Sequence, residues 1–129
     1  MVCLDSNFLI DFLKNKDYAI KKMRSLKENG EDVSTTTINS FELLKGALDE
    51  NYKNSFDAIN KLLGNLRILP FDFESSKKAA EIFELLKEKG EIIDYLDLMI
   101  ASIAIVNKEK LLTGNLKHFS RVPWLEIEN

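Results

Sequence analysis

The residues of this chain whose types could do chemistry are mostly acids, and the first stands at a junction. In LDSN, Asp5 follows the apolar run Val2 to Leu4, which predicts a buried strand. It precedes Phe8, Leu9, Phe12 and Leu13, which repeat at helical spacing. A carboxylate there is either a helix N-cap or a group held at a strand end for catalysis. Ser6 would cap equally well one residue later, and Ser6 and Asn7 could also bind phosphate oxygens or a metal-bound water. Asp97 is the only charged residue in LDLMIASIAIV, a stretch apolar all round the helical wheel and therefore buried. An isolated buried carboxylate needs a partner, a cation or a shifted pKa. The alternative makes Asp94 the N-cap and Asp97 the third helical residue, as in a capping box. Glu42 lies on the border of an apolar stripe formed by Ile38, Phe41, Leu44 and Leu48, where a surface pair with Lys45 is the plainer reading. Gly46, at about 1 kcal/mol against alanine in a helix, predicts close packing. Asn115, after Thr113 and Gly114, is by default a turn residue. The single histidine, His118, reads as a surface residue in a basic neighbourhood. Glycine-rich phosphate loops, HExxH, EF-hand loops and a nucleophile-elbow serine are all missing.

Composition bounds what these groups can serve. A chain of 129 residues, 45% apolar and 30% charged, predicts one ordinary globular domain covering residues 1–129. No apolar run approaches the roughly 20 residues needed to span a bilayer, and Asp5 interrupts the only apolar start, so neither a membrane span nor a signal peptide is expected. A lone Cys3 excludes an internal disulfide and a cysteine metal cage, and places the chain in a reducing cytoplasm. The net charge is −3, yet without Asp5, Glu42, Asp94 and Asp97 the 18 basic residues face 17 acids. The rest of the surface is then not hostile to a phosphate backbone. Basic residues cluster at Lys14, Lys16, Lys21, Lys22 and Arg24, and again at Lys108, Lys110, Lys117 and Arg121 around the Thr113–Asn115 turn.

The elements that must position the acids read as short strands alternating with helices. Strands are expected at about 1–4, 32–36, 67–69, 110–112 and 125–127. Helices are expected at about 7–14, 18–28, 39–51, 55–63, 73–89 and 95–107, with stops at Asn29-Gly30 and at Gly90. That alternation argues for an α/β layer with a mainly parallel sheet flanked by helices. In such sheets active groups collect beyond the carboxyl ends of the strands, where both Asp5 and Asn115 fall.

LDSNFLIDFL, INSFELLKGAL, YLDLMIASIAIV and LLTGNLKHF, in this order over nearly the whole chain, resemble the PIN-domain family, and within it the VapC-type toxin ribonucleases of prokaryotic toxin–antitoxin pairs. The resemblance implies a compact α/β fold with an acidic pocket that binds Mg²⁺ or Mn²⁺. Asp5 matches the family's first acid and Ser6 the hydroxyl residue after it. Glu42 matches the acid preceding a downstream glycine, here Gly46, and Asp97 the acid of the D-x-x-I-A stretch. Asn115 takes a fourth position where Asp and Asn both occur. Asp94 stands where glycine or proline is more usual, as an outer acid or only a cap. It also implies hydrolysis of RNA phosphodiester bonds, with Asp5 and Asp97 as principal metal ligands and Glu42 acting through water. Homodimers and complexes with a small antitoxin are common in the family. Two alternatives share these residues: a PIN-like module that binds RNA or protein without cutting, and an RNA-processing nuclease without a toxin role. A dehalogenase-type phosphatase needs a second Asp where Asn7 stands, and a receiver domain needs paired acids that are not present.

Overall fold

A computed structural model describes residues 1–49 and 55–129. The chain runs β1 (Val2–Leu4), α1 (Ser6–Leu13), α2 (Asp17–Glu28), β2 (Val33–Thr36), α3 (Thr37–Leu48), α4 (Phe56–Gly64), β3 (Arg67–Leu69), α5 (Phe73–Lys89), α6 (Tyr95–Val106), β4 (Lys110–Leu112) and α7 (Leu116–Phe119). The expected end of the third helix, Glu50 and Asn51, lies outside the described residues.

The four strands form one sheet of order β3-β2-β1-β4, and every pairing is parallel. Parallel strands are covered on both faces, so their side chains divide between two cores. Val2, Leu4 and Leu112 point into a cluster with Phe8, Leu9, Met23, Leu43 and Ile59 from α1 to α4. Cys3 and Leu111, one position out of phase, point the other way, toward Ala79, Ile82, Leu86, Ile100, Ala101 and Phe119 from α5 to α7. The period of two in a strand thus sorts one tripeptide onto two helical layers. Ala101 and Ala104 are both fully buried, which lets α6 lie close against its neighbours, as their size predicts.

This topology creates a particular crevice. From β1 the chain moves to β2 and β3 on one side, then returns across the other face to place β4 on β1's far edge. The strand order therefore reverses between β1 and β4, and the carboxyl ends of these two strands flank the gap. Asp5 directly follows β1, and Thr113 directly follows β4.

Three expectations need correction. Residues 125–127 do not form a strand: after the turn at Pro123-Trp124, where Trp124 has φ 68°, only a single parallel bridge forms, Leu111 to Ile127. Gly46 is not a site of close packing, since a Cβ there would meet nothing within 4 Å; it lines an open apolar groove instead. And α7, a four-residue helix, was not foreseen, because a single turn has no periodicity to read. Among the described residues no helix is long and apolar enough to cross a membrane.

Candidate active site

Asp5 is both the cap and the acid. Its backbone is extended (φ −76°, ψ 159°), its N–H continues the ladder to Leu112 O, and its Oδ1 accepts from Ser6 N at 2.9 Å. Capping therefore does not pass to Ser6, which is the first residue of α1. The Asp5 carboxylate is buried, and three donors hold it: Ser6 N and Asn39 Nδ2 on Oδ1, each at 2.9 Å, and Thr113 Oγ1 on Oδ2 at 2.6 Å. Short bonds to an ionised acceptor are strong ones.

Asn39 is the residue that sequence reasoning missed. It is fully buried in the first turn of α3, and its Nδ2 donates to Asp5 Oδ1 and to Ser6 Oγ at 2.8 Å. Its Oδ1 accepts from Thr36 Oγ1 at 2.7 Å, while Thr36, the N-cap of α3, accepts from Asn39 N. Ser6 Oγ then donates to Glu42 Oε1 at 2.8 Å. A continuous chain of hydrogen bonds thus runs Thr36–Asn39–Ser6–Glu42, with Asp5 as a branch. Among the described residues no buried side-chain nitrogen or oxygen lacks a partner. The available hint was Asn39 itself: three residues before Glu42, on a helix face turned toward the sheet, it had to be either exposed or satisfied.

Asp97 enters from α6, one turn behind its N-cap Asp94, whose carboxylate accepts from Leu96 N at 3.1 Å. Asp97 is half-buried rather than enclosed, and its Oδ2 meets His118 Nδ1 at 3.1 Å and Asn115 Nδ2 at 3.4 Å. His118 is therefore not only a surface residue: it is partly exposed and it touches an acid of the site. Asn115 sits before α7, its N–H donating to Thr113 Oγ1 at 3.0 Å. Asp5 and Ser6, Glu42, Asp97 and Asn115 thus border one cleft from four separate segments. Asp94 is an exposed cap whose charge still reaches the site.

The electrostatics match an acidic cleft. Burial pushes the Glu42 carboxyl above its ordinary 4.5, and the charges of Asp5, Asp97 and Asp94 push it further, against the Ser6 hydrogen bond. Burial likewise raises Asp97 above 3.8, with Asp5 and Asp94 adding to it, while the bond and charge of His118 oppose. Carboxylates that raise one another's pKa are ones that a cation would relieve. Among the described residues no three Asp, Glu, His or Cys side chains are grouped tightly enough to be a ready-made ligand cage. Mg²⁺ does not need one, since it keeps most of its waters and takes one or two carboxylates. The all-oxygen donor set fits such an ion.

Fold and site together define an α/β protein with an acidic cleft at the switch point of a parallel sheet. The PIN-domain family model matches residues 2–125, and the chain belongs to that family. It is similar to Ribonuclease VapC2 of Rickettsia felis, with 30% identity over 128 residues, covering 98% of this chain and 95% of the relative. Ribonuclease VapC1 of Methanocaldococcus jannaschii is 30% identical over 121 residues, covering 94% and 80%. The crystal structure of VapBC2 from Rickettsia felis, bound to a DNA fragment from their promoter, contains a chain that superposes with a TM-score of 0.90 at 29% identity, covering 100% of this chain and 98% of that one.

Proposed function

We propose that this protein is a divalent-metal-dependent endoribonuclease acting as the toxin of a type II toxin–antitoxin pair. The observation that carries the reading is the convergence of Asp5, Glu42, Asp97 and Asn115 at the carboxyl end of the sheet, in a chain similar nearly end to end to VapC ribonucleases. Asp5 and Asp97 would hold Mg²⁺ or Mn²⁺, and Glu42 would bind through water or orient the attacking water. When bound, the ion would activate that water and neutralise charge developing on the attacked phosphate. The protein's own groups do the positioning. Asn39 and Thr113 fix both oxygens of Asp5, and Ser6 fixes Glu42. Asn115 presents an amide at the cleft for water or phosphate. No side-chain nucleophile is required. Lys117 and Arg121, on and just after α7, suit an RNA backbone passing the acids.

A protein partner fits the surface beside the site. An apolar groove of about 410 Å³, lined by Ile10, Leu13, Leu43, Ala47 and Ile59, runs up to Glu42. It suits an antitoxin segment lying next to the acids. Phe41, Phe73, Ile92 and Tyr95 are also exposed, apolar area that a second copy of the chain would have to cover. The buried, unreactive thiol of Cys3, its pKa pushed to about 12 by burial, suits a reducing cytoplasm.

The test is incubation of purified protein with structured RNAs, in Mn²⁺ or in EDTA, beside Asp5→Asn and Asp97→Asn. Metal-dependent cutting lost in both variants is the expected result. Equal cutting by wild type and variants would sink the site assignment, and binding without cutting would establish the non-cleaving module instead.

A further inference from the structure

Each acid of the cleft has at least one oxygen fixed by a donor of the same chain. For Asp5 the donors are Ser6 N, Asn39 and Thr113, and for Glu42 the donor is Ser6. For Asp97 the nearer of two donors is His118, whose Nδ1 lies 3.1 Å from Oδ2, against 3.4 Å for Asn115 Nδ2. A carboxylate only accepts, so the Nδ1 proton must point at Asp97 for the contact to bond. Asn115 Nδ2, 3.2 Å from the same ring nitrogen, then has Oδ2 as its acceptor. Both donors converge on Oδ2, and neither engages Oδ1.

We propose that His118 is a positioning residue for Asp97: its Nδ1–H holds Oδ2 and so fixes the carboxylate that would take a cation. The inference rests on the metal-dependent nuclease reading above and deepens it. The placement of His118 is a property of the fold. It follows Asn115, the N-cap residue of α7, by three positions, and the two side chains meet at 3.2 Å. The next residue, Phe119, is 1% exposed in the core and fastens that single turn. Groups that hydrogen-bond a metal's ligand orient it, and their loss costs about 10–100-fold in metal affinity.

The experiment measures Mn²⁺ binding to the purified protein by calorimetry for wild type, His118→Ala, His118→Phe, His118→Asn and Asp97→Asn. The side chain of His118 is 38% exposed, so these variants should fold, and metal-free thermal unfolding checks that they do. Asparagine carries its Nδ2 on the same Cγ as the ring's Nδ1, and so restores the donor. The expected result is about 10–100-fold weaker binding in His118→Ala and His118→Phe, with His118→Asn near wild type. RNA cleavage should lose kcat in the first two variants with KM for RNA little changed. Wild-type Mn²⁺ affinity in His118→Phe, while Asp97→Asn binds none, would overturn the role of His118 alone. So would an asparagine variant as impaired as alanine. A wild type that neither binds Mn²⁺ nor cuts RNA would instead bring down the nuclease reading, and this inference with it.

Discussion

Asp5 accepts three hydrogen bonds, and all three donor residues have other duties. Ser6 Oγ also serves Glu42, Asn39 Nδ2 also donates to Ser6 Oγ, and Thr113 Oγ1 also accepts from Asn115 N. This sharing separates charge from shape at the residue scale. In Asp5→Asn the amide oxygen can still face Ser6 N and Asn39 Nδ2, while the new NH₂ faces Thr113, whose hydroxyl can turn to accept. The variant should therefore fold, about 1–3 kcal/mol less stable for the loss of a charged acceptor, as read by urea denaturation. Metal-dependent RNA cleavage should fall at least about 100-fold. Asn39 makes the opposite case, because it carries no charge to a substrate and only fastens others. Asn39→Ala strips a donor from Asp5 and Ser6 and an acceptor from Thr36, in a fully buried place. It should destabilise by about 1–3 kcal/mol and also depress cleavage, since Ser6 and Glu42 lose their anchor. Full activity in a stably folded Asn39→Ala would show that the network supports only the fold.

At the scale of elements, what was legible in the sequence follows from what carries a period. The strands beginning at Val2, Val33, Arg67 and Lys110, and the long helices, announce themselves through apolar repetition and stops such as Gly90, whose φ of 67° suits glycine. Asp5, Asp97 and Asn115 stand out as candidates because each lies at or near the end of such an element, whereas Glu42, in the middle of α3, stands out only through the family resemblance. What stayed hidden was how the polar side chains pair. The β-branched stretch Asp32–Thr36 predicts a strand, but not that Thr35 Oγ1 binds Leu4 O or that Thr36 caps α3. Likewise α7 has too few residues to show a pattern, and so His118 looked like surface. Its existence depends on one anchor. Phe119→Ala should cost about 3–5 kcal/mol as a buried aromatic lost from the core. It should also lower cleavage at temperatures where the rest of the protein is still folded by circular dichroism, because Asn115 and His118 lose their platform. A loss of activity that only tracks global unfolding would mean that α7 holds its place without Phe119.

Over the whole molecule, the acids couple stability to pH and, on the proposed reading, to metal. Glu42 and Asp97 have folded pKa values above their ordinary 4.5 and 3.8, so near those values the folded state holds protons that the unfolded chain has released. Stability from these two groups is fully present below the ordinary values and is lost as pH rises through them to the raised folded values. Other carboxylates run the opposite way: Asp11, Glu31 and Asp72 are lowered by their hydrogen bonds. A raw acid titration would therefore mix the two signs. The clean measurement is the difference between wild type and the double variant Glu42→Gln, Asp97→Asn, which removes both charges and keeps a side-chain oxygen for Ser6 and for His118. In EDTA the two proteins should be about equally stable below roughly pH 4, and the double variant should be the more stable at pH 7. Adding Mn²⁺ should reverse that order. An ion at a hundred times its Kd stabilises the wild type by about 2.7 kcal/mol, a rise in Tm of roughly 8–12 °C for a chain of this size. The double variant, with one principal ligand gone, should gain much less. A wild-type advantage at pH 7 in EDTA would mean that the carboxylates stabilise the empty cleft. A Tm indifferent to Mn²⁺ and Mg²⁺ would mean that the acids gather there for some purpose other than holding a cation.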